Sequence, residues 1–153
     1  MTADVAQRDS GALQTVGWRE WVGLPALGVD RLKAKIDTGA RTSALHTFEI
    51  RVFEEDERQR VRFGLHPRQY HEQPVHFCTA DVLDRREVTD SGGHTEERIV
   101  IRTPVALGGL TWPIEITLTA RDSMRFRMLL GRTAIRRRLR VDPAQSFLMG
   151  RRR

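Results

Sequence analysis

The chain has a single cysteine, Cys78, so it can form no disulfide within itself and cannot supply a four-cysteine metal centre. It has only two lysines, Lys33 and Lys35; every other basic side chain is arginine. Aromatic residues make up only 7% of the chain. No apolar run approaches the roughly 20 residues that cross a bilayer as a helix. Residues 1–14 are small and polar, without the apolar stretch of a secretory signal. There is no Gly-x-x-x-x-Gly-Lys-Ser/Thr loop to cradle a nucleotide and no His-Glu-x-x-His to hold zinc. These absences lead us to expect a reduced, cytoplasmic setting with no membrane partner, no cofactor and no resident metal.

What remains is a 153-residue chain, enough for one domain with a core. Its net charge is +6. Arginine makes planar, two-pronged contacts with carboxylate or phosphate, so the charge suits an acidic peptide or a nucleic acid and does not choose between them. Residues 1–14 read as a loose tail, 15–150 as the domain and 151–153 as a basic tail.

Short segments of alternating polarity fill the domain. Val16–Val22 reads as a first strand. Val29–Ile36 is cleaner, with Leu32, Ala34 and Ile36 on one side and Arg31, Lys33 and Lys35 on the other. Phe48–Phe53 and Arg60–Leu65 flank the acidic turn 54–57 and predict a hairpin; Val75–Leu83 returns to strand character. Asp90-Ser91-Gly92-Gly93 predicts a second hairpin between 85–88 and 98–105. Trp112, Ile114, Ile116 and Leu118 alternate after the Gly108-Gly109 turn. Met128-Leu129-Leu130 is a short buried run. Gly131–Leu139 reads as the helix, with Ile135 and Leu139 four apart, and Gln145–Met149 as a last strand. Many short strands and one late helix predict an all-β closed barrel or sandwich.

One segment carries chemistry. Asp37 ends an apolar-faced strand, where a carboxylate is costly unless hydrogen-bonded or used. Thr38 brings a hydroxyl, and Gly39 allows a tight turn and close approach of another group. The whole string Lys35-Ile36-Asp37-Thr38-Gly39-Ala40-Arg41-Thr42-Ser43-Ala44-Leu45-His46, with the later Met128-Leu129-Leu130-Gly131-Arg132, resembles the two signatures of retropepsin-like aspartic peptidases. The Gly92-Gly93 hairpin lies between them, where such enzymes carry a flap. The match is similar above all to a bacterial branch labelled ATP-dependent zinc protease, which is associated with ATP-grasp glutamate ligases.

The resemblance implies a retropepsin-like closed barrel with one C-terminal helix. It implies a peptidase in which Asp37 is catalytic and Thr38, Gly39 and Ala40 form the active-site loop. With one Asp-Thr-Gly per chain, that chemistry needs a homodimer with two copies of Asp37 on its axis, and an interface strand after Asp142. Arg41, Thr42, Ser43, His46, Gly92 and Gly93 would contact substrate. Leu130, Gly131 and Arg132 would support the loop. The ligase association and the positive charge imply an acidic substrate, such as a glutamate-extended protein tail. Residues 48–83 would be an insertion.

Two other readings stay beside it. The zinc label would need ligands, and His71, His76 and Cys78 are the sole cluster of suitable types, at no common spacing. On a strand His76 and Cys78 would share a face, which also admits a thiol nucleophile. Alternatively, Arg136-Arg137-Arg138, Arg140 and Arg151–Arg153 would serve a basic, non-catalytic dimer that binds RNA or acidic protein, although the sequence shows no ladder of aromatics for stacking bases.

Overall fold

A computed structural model describes residues 13–120 and 125–150. Twelve strands follow one another there: β1 (Gln14–Val16), β2 (Arg19–Leu24), β3 (Val29–Asp37), β4 (Ser43–His46), β5 (Phe48–Glu55), β6 (Arg58–Leu65), β7 (His76–Asp81), β8 (Asp84–Thr89), β9 (Thr95–Leu107), β10 (Leu110–Thr119), β11 (Met128–Gly131) and β12 (Leu139–Val141). One α-helical turn, α1 (Arg132–Ile135), separates the last two.

Alternation builds β3 as expected: Leu32, Ala34 and Ile36 are buried, while Lys35 is exposed and Arg31 and Lys33 are half-buried. On β10 the same period buries Trp112, Ile114, Ile116 and Leu118. These faces meet inside a ring of strands ordered β10-β4-β11-β3-β2-β9, closed by the pairing of β9 with β10. Closure leaves no free edge in the ring. The hairpin arm β8 hangs from β9, outside the ring. Two pairings, β3 with β11 and β4 with β10, are parallel and join distant segments. The fold is therefore all-β, a closed retropepsin-like barrel with one short helix.

Residues 48–81 form their own antiparallel sheet, β5-β6-β7. Its first turn is tighter than the acidic run suggests. The strands continue through Glu55, and only Asp56 and Glu57 turn, both with positive φ, as a two-residue hairpin requires. Val61, Phe63 and Leu65 anchor this sheet to the core.

Four expectations are corrected. The first strand breaks in two at Gly17–Trp18, because the Gly17 N–H turns to the buried Glu20 carboxylate at 2.6 Å. Gln14, placed in the tail, already belongs to β1; residues 1–12 and 151–153, the rest of the two expected tails, lie outside the described residues. The helix expected over Gly131–Leu139 stops at Ile135. The Ala134 carbonyl, which a longer helix would use, accepts from Trp112 Nε1 at 3.2 Å, and Arg137 takes a positive φ of 69°. Leu139 is thereby released to pair with Gln14 in β12. Finally, Gln145–Met149 is no strand. Its N–H groups go to side chains as well as backbone: Leu148 and Met149 donate to Glu20 at 2.8 and 3.1 Å, and Phe147 donates to the Arg19 carbonyl at 3.0 Å.

Candidate active site

The two sequence signatures lie side by side. In the parallel pair of β3 with β11, Leu130 sits opposite Ile36 and Gly131 opposite Asp37. Asp37 is half-buried at the strand end. Its Oδ1 accepts from the Gly39 N–H at 3.0 Å, and its carbonyl accepts from the Ala40 N–H at 3.2 Å. The carboxylate thus organises its own turn.

The segment after β11 clamps the loop from behind. Arg132 N–H donates to the Ala40 carbonyl at 2.8 Å, and Thr133 N–H to the Arg41 carbonyl at 3.1 Å. The Arg132 guanidinium donates to the Gly39 carbonyl at 3.2 Å. Gly131 N–H donates to Ser43 Oγ at 3.0 Å, where both residues are buried. A Cβ on Gly131 would lie 2.6 Å from the Thr42 carbonyl carbon, so only glycine lets the two backbones approach this closely. Leu130 thus lies beside Ile36, while Gly131 and Arg132 are bonded to the 39–43 backbone and side chains.

In front of the loop lies a cleft of about 1300 Å³. Asp37, Gly39, Ala40, Arg41 and Thr42 line its floor, and Arg86 to Ser91 line it from the β8–β9 hairpin. Asp90 caps that hairpin, with Oδ1 accepting from the Gly92 and His94 N–H groups at 2.9 Å each. Gly92 and Gly93 stand exposed beyond Ser91 and are not among the lining residues. Thr38 is exposed at the turn. Two further residues expected at the substrate also lie outside the cleft lining. Ser43 is buried against Gly131, and His46 is buried with its Nδ1 3.2 Å from the Arg127 guanidinium and its ring facing His66. The cause is strand geometry: both belong to β4, which is buried throughout its length.

Sequence reasoning missed most of the charge in this cleft. Arg86 bridges Asp84 and Glu115, at 2.8 Å each. Its hydrogen bond holds the Asp84 carboxyl below the ordinary carboxylate range. Arg98 is buried, 2.7 Å from Glu96 and 3.3 Å from Thr117 Oγ1. Lys35, Arg41, Arg102, Arg125 and Arg136 also line the cleft, and none has a carboxylate partner among the described residues. The signal was present as spaced arginines, but their convergence depends on cross-strand register, such as Arg86 opposite Arg98.

The metal and thiol readings find a different arrangement. His76 and Cys78 do share a face of β7, and both point at the Leu27 carbonyl, at 2.7 and 3.6 Å. Burial pushes the Cys78 thiol up to about 11, which keeps it protonated and unreactive at neutral pH. Among the described residues no three His, Cys, Asp or Glu side chains converge as a metal centre needs. His71, His76 and Cys78 are therefore not such a group.

A family model described as the RimB-like, retropepsin-like aspartic endopeptidase RimB matches residues 15–152. The chain belongs to the RimB-like family. Proteins named probable alpha-L-glutamate ligase resemble it as well. One from Shewanella pealeana is 46% identical over 88% of this chain and 30% of its own length. One from Desulfotalea psychrophila is 41% identical over 98% of this chain and 31% of its own. One from Parasynechococcus marenigrum is 47% identical over 88% and 29%. The chain thus spans about a third of the length of these relatives. A crystal structure of a Legionella pneumophila protein of unknown function (DUF785) superposes with a TM-score of 0.76 at 25% identity, covering 90% of this chain and 99% of that one. The matched residues include both the Asp-Thr-Gly loop and the Leu-Leu-Gly-Arg segment. Among the described residues no helix is long and apolar enough to cross a membrane.

Proposed function

We propose that this RimB-like chain hydrolyses peptide or glutamyl bonds in acidic, glutamate-rich protein tails, as a homodimer with one Asp37 from each copy. The observation that carries the reading is Asp37 lining a wide cleft in which Lys35, Arg41, Arg102, Arg125 and Arg136 have no carboxylate partner among the described residues. Two carboxylates about 3 Å apart cannot both ionise, so the pair would share one proton. The ionised partner takes a proton from water as the oxygen attacks the carbonyl carbon. The protonated partner donates to the carbonyl oxygen. The C–N bond then breaks, and the proton taken from water goes to the leaving amine. The apparent pKa values belong to the pair.

Substrate carboxylates would meet Arg41, Arg102 and Arg136, and two-pronged pairing would hold the chain against the floor. The names of the ligase relatives favour the same chemistry, since a ligase that forms glutamyl bonds and a hydrolase that removes them act on one substrate. An association with such an ATP-grasp ligase is part of the proposal.

The test is Asp37→Asn assayed on a glutamate-extended peptide from acidic to neutral pH, with and without a chelator. Loss of hydrolysis on substitution, with no chelator effect, is expected. Activity that survives the substitution and disappears with chelator would overturn the aspartic mechanism. Retention of RNA or acidic protein without hydrolysis in either form would replace it with the binding module. Gel filtration of the active species checks the dimer, because a strict monomer holds one Asp37.

A further inference from the structure

A second basic surface continues from the cleft across the outside of the barrel. Trp18 and Lys35 line the cleft. In register, Arg19 lies opposite Lys35, and Trp21 lies opposite Lys33 on the adjoining outward positions of β2 and β3. The C-terminal segment adds Phe147, stacked on Trp21 with ring centres 5.8 Å apart. Cations alternate with these rings. Arg19 lies 4.7 Å from Trp18 and 4.9 Å from Phe147, Lys33 lies 5.3 Å from Trp21, and Arg31 lies 5.5 Å from Trp21. The rings fix long cationic side chains that would otherwise be mobile. Burial, and secondarily the charge of Arg19, lowers the Lys33 ammonium pKa.

Beyond Trp21 the strip opens into a groove of about 870 Å³, walled by loop 67–71. Arg31, Lys33 and Arg68 line it against a single carboxylate, Asp30. Neither Arg31, Lys33 nor Arg68 has a carboxylate partner among the described residues.

We propose that the Trp18–Arg19–Phe147–Lys33–Trp21 strip and the groove beyond it form an exosite for an acidic peptide, which receives the part of the chain that extends past the cleft. It rests on the hydrolase reading for its orientation, and on charge complementarity and continuity with the cleft for its occupant. An extended peptide advances about 3.3–3.6 Å per residue, so a long acidic tail reaches both surfaces at once and a short one fills only the cleft. Joining the two surfaces makes the second contact intramolecular, which raises the apparent affinity for long chains alone.

The test compares oligoglutamates of about four and about sixteen residues, the longer long enough to reach the groove. Wild type is expected to favour the long peptide in kcat/KM. In the double variant Arg31→Gln, Lys33→Gln the long-peptide value falls about fivefold, the loss of two partly exposed ion pairs. Short-peptide turnover stays at wild-type level and shows that the variant is folded. Arg68→Gln, on the loop wall, lowers the long-peptide value independently of sheet packing, and Lys33→Arg preserves it. The same peptides are titrated by fluorescence anisotropy against Asp37→Asn chains with and without the exosite changes. If hydrolysis fails but the binding contrast remains, the catalytic reading falls and the exosite stands. If the double variant and Arg68→Gln keep the full length preference in both assays, the exosite is overturned. Tighter binding of a single-stranded oligonucleotide than of the long peptide would overturn the acidic-peptide assignment.

Discussion

Replacing Gly131 by alanine tests whether the Leu-Leu-Gly-Arg segment truly holds the Asp-Thr-Gly loop. The new Cβ would sit 2.6 Å from the Thr42 carbonyl carbon and 2.9 Å from both the Ser43 nitrogen and the Thr42 oxygen. All three are backbone atoms, so no side chain can swing aside. Either β11 or the 40–43 loop must move, and overpacking of this kind costs about 1–3 kcal/mol. Displacement also strains the bond from Gly131 N–H to Ser43 Oγ, a buried pair, so the upper half of that range is expected. For a domain of this size that is a fall of about 4–10 °C in Tm. Urea unfolding should show a lower midpoint with an unchanged slope. The Arg132–Ala40 and Thr133–Arg41 bonds tie Asp37's turn to the same backbone, so peptide hydrolysis should fall more steeply than the folded fraction does. Gly109→Ala is the control, because nothing lies within 4 Å of its Cβ, and it should leave both measurements unchanged. A Gly131→Ala chain with the wild-type midpoint and full activity would refute the clamp.

Glu20→Ala removes a buried carboxylate that accepts from Gly17, Leu148 and Met149. The cost is about 2–4 kcal/mol, and hydrogen exchange at the Leu148 and Met149 amides should accelerate selectively. Unchanged protection there would sink the account of the C-terminal segment. The Cys78 thiol, raised from 9.0 to about 11 in the folded chain, keeps its proton longer than the unfolded chain does. Its contribution to stability is therefore complete below pH 9.0 and lost as pH rises towards about 11, which urea midpoints across that window should register. Alkylation of the native thiol should stay slow until the same window. Hydrolysis of oligoglutamate should slow steeply with added salt, as paired charges are screened; salt-insensitive turnover would remove the arginines of the cleft from substrate recognition.

The helix and the C-terminus show where local reasoning stops. Ile135 and Leu139 satisfy helical spacing, and both are buried, but for different reasons: one ends α1 and the other enters β12. The deciding contact, Trp112 Nε1 to the Ala134 carbonyl, comes from a strand some twenty residues earlier. Gln145–Met149 likewise looks extended in isolation, and Glu20 takes the Leu148 and Met149 N–H groups. His46 follows the Asp-Thr-Gly loop closely in sequence, yet β4 carries it into the interior.

From the amino-acid order alone came the β character, the Asp-Thr-Gly loop, the Leu-Leu-Gly-Arg partner and the hairpin between them. Those features are local: alternation with period two, turn residues and contiguous motifs are written within a few positions of one another. The tertiary structure decided the ring closure, the arginine lining of the cleft and the cation–aromatic strip. Each depends on parallel or cross-strand register between segments far apart in the chain, such as Gly131 beside Asp37 and Phe147 on Trp21. No short-range pattern encodes such neighbours, because they are set by how the whole apolar surface packs.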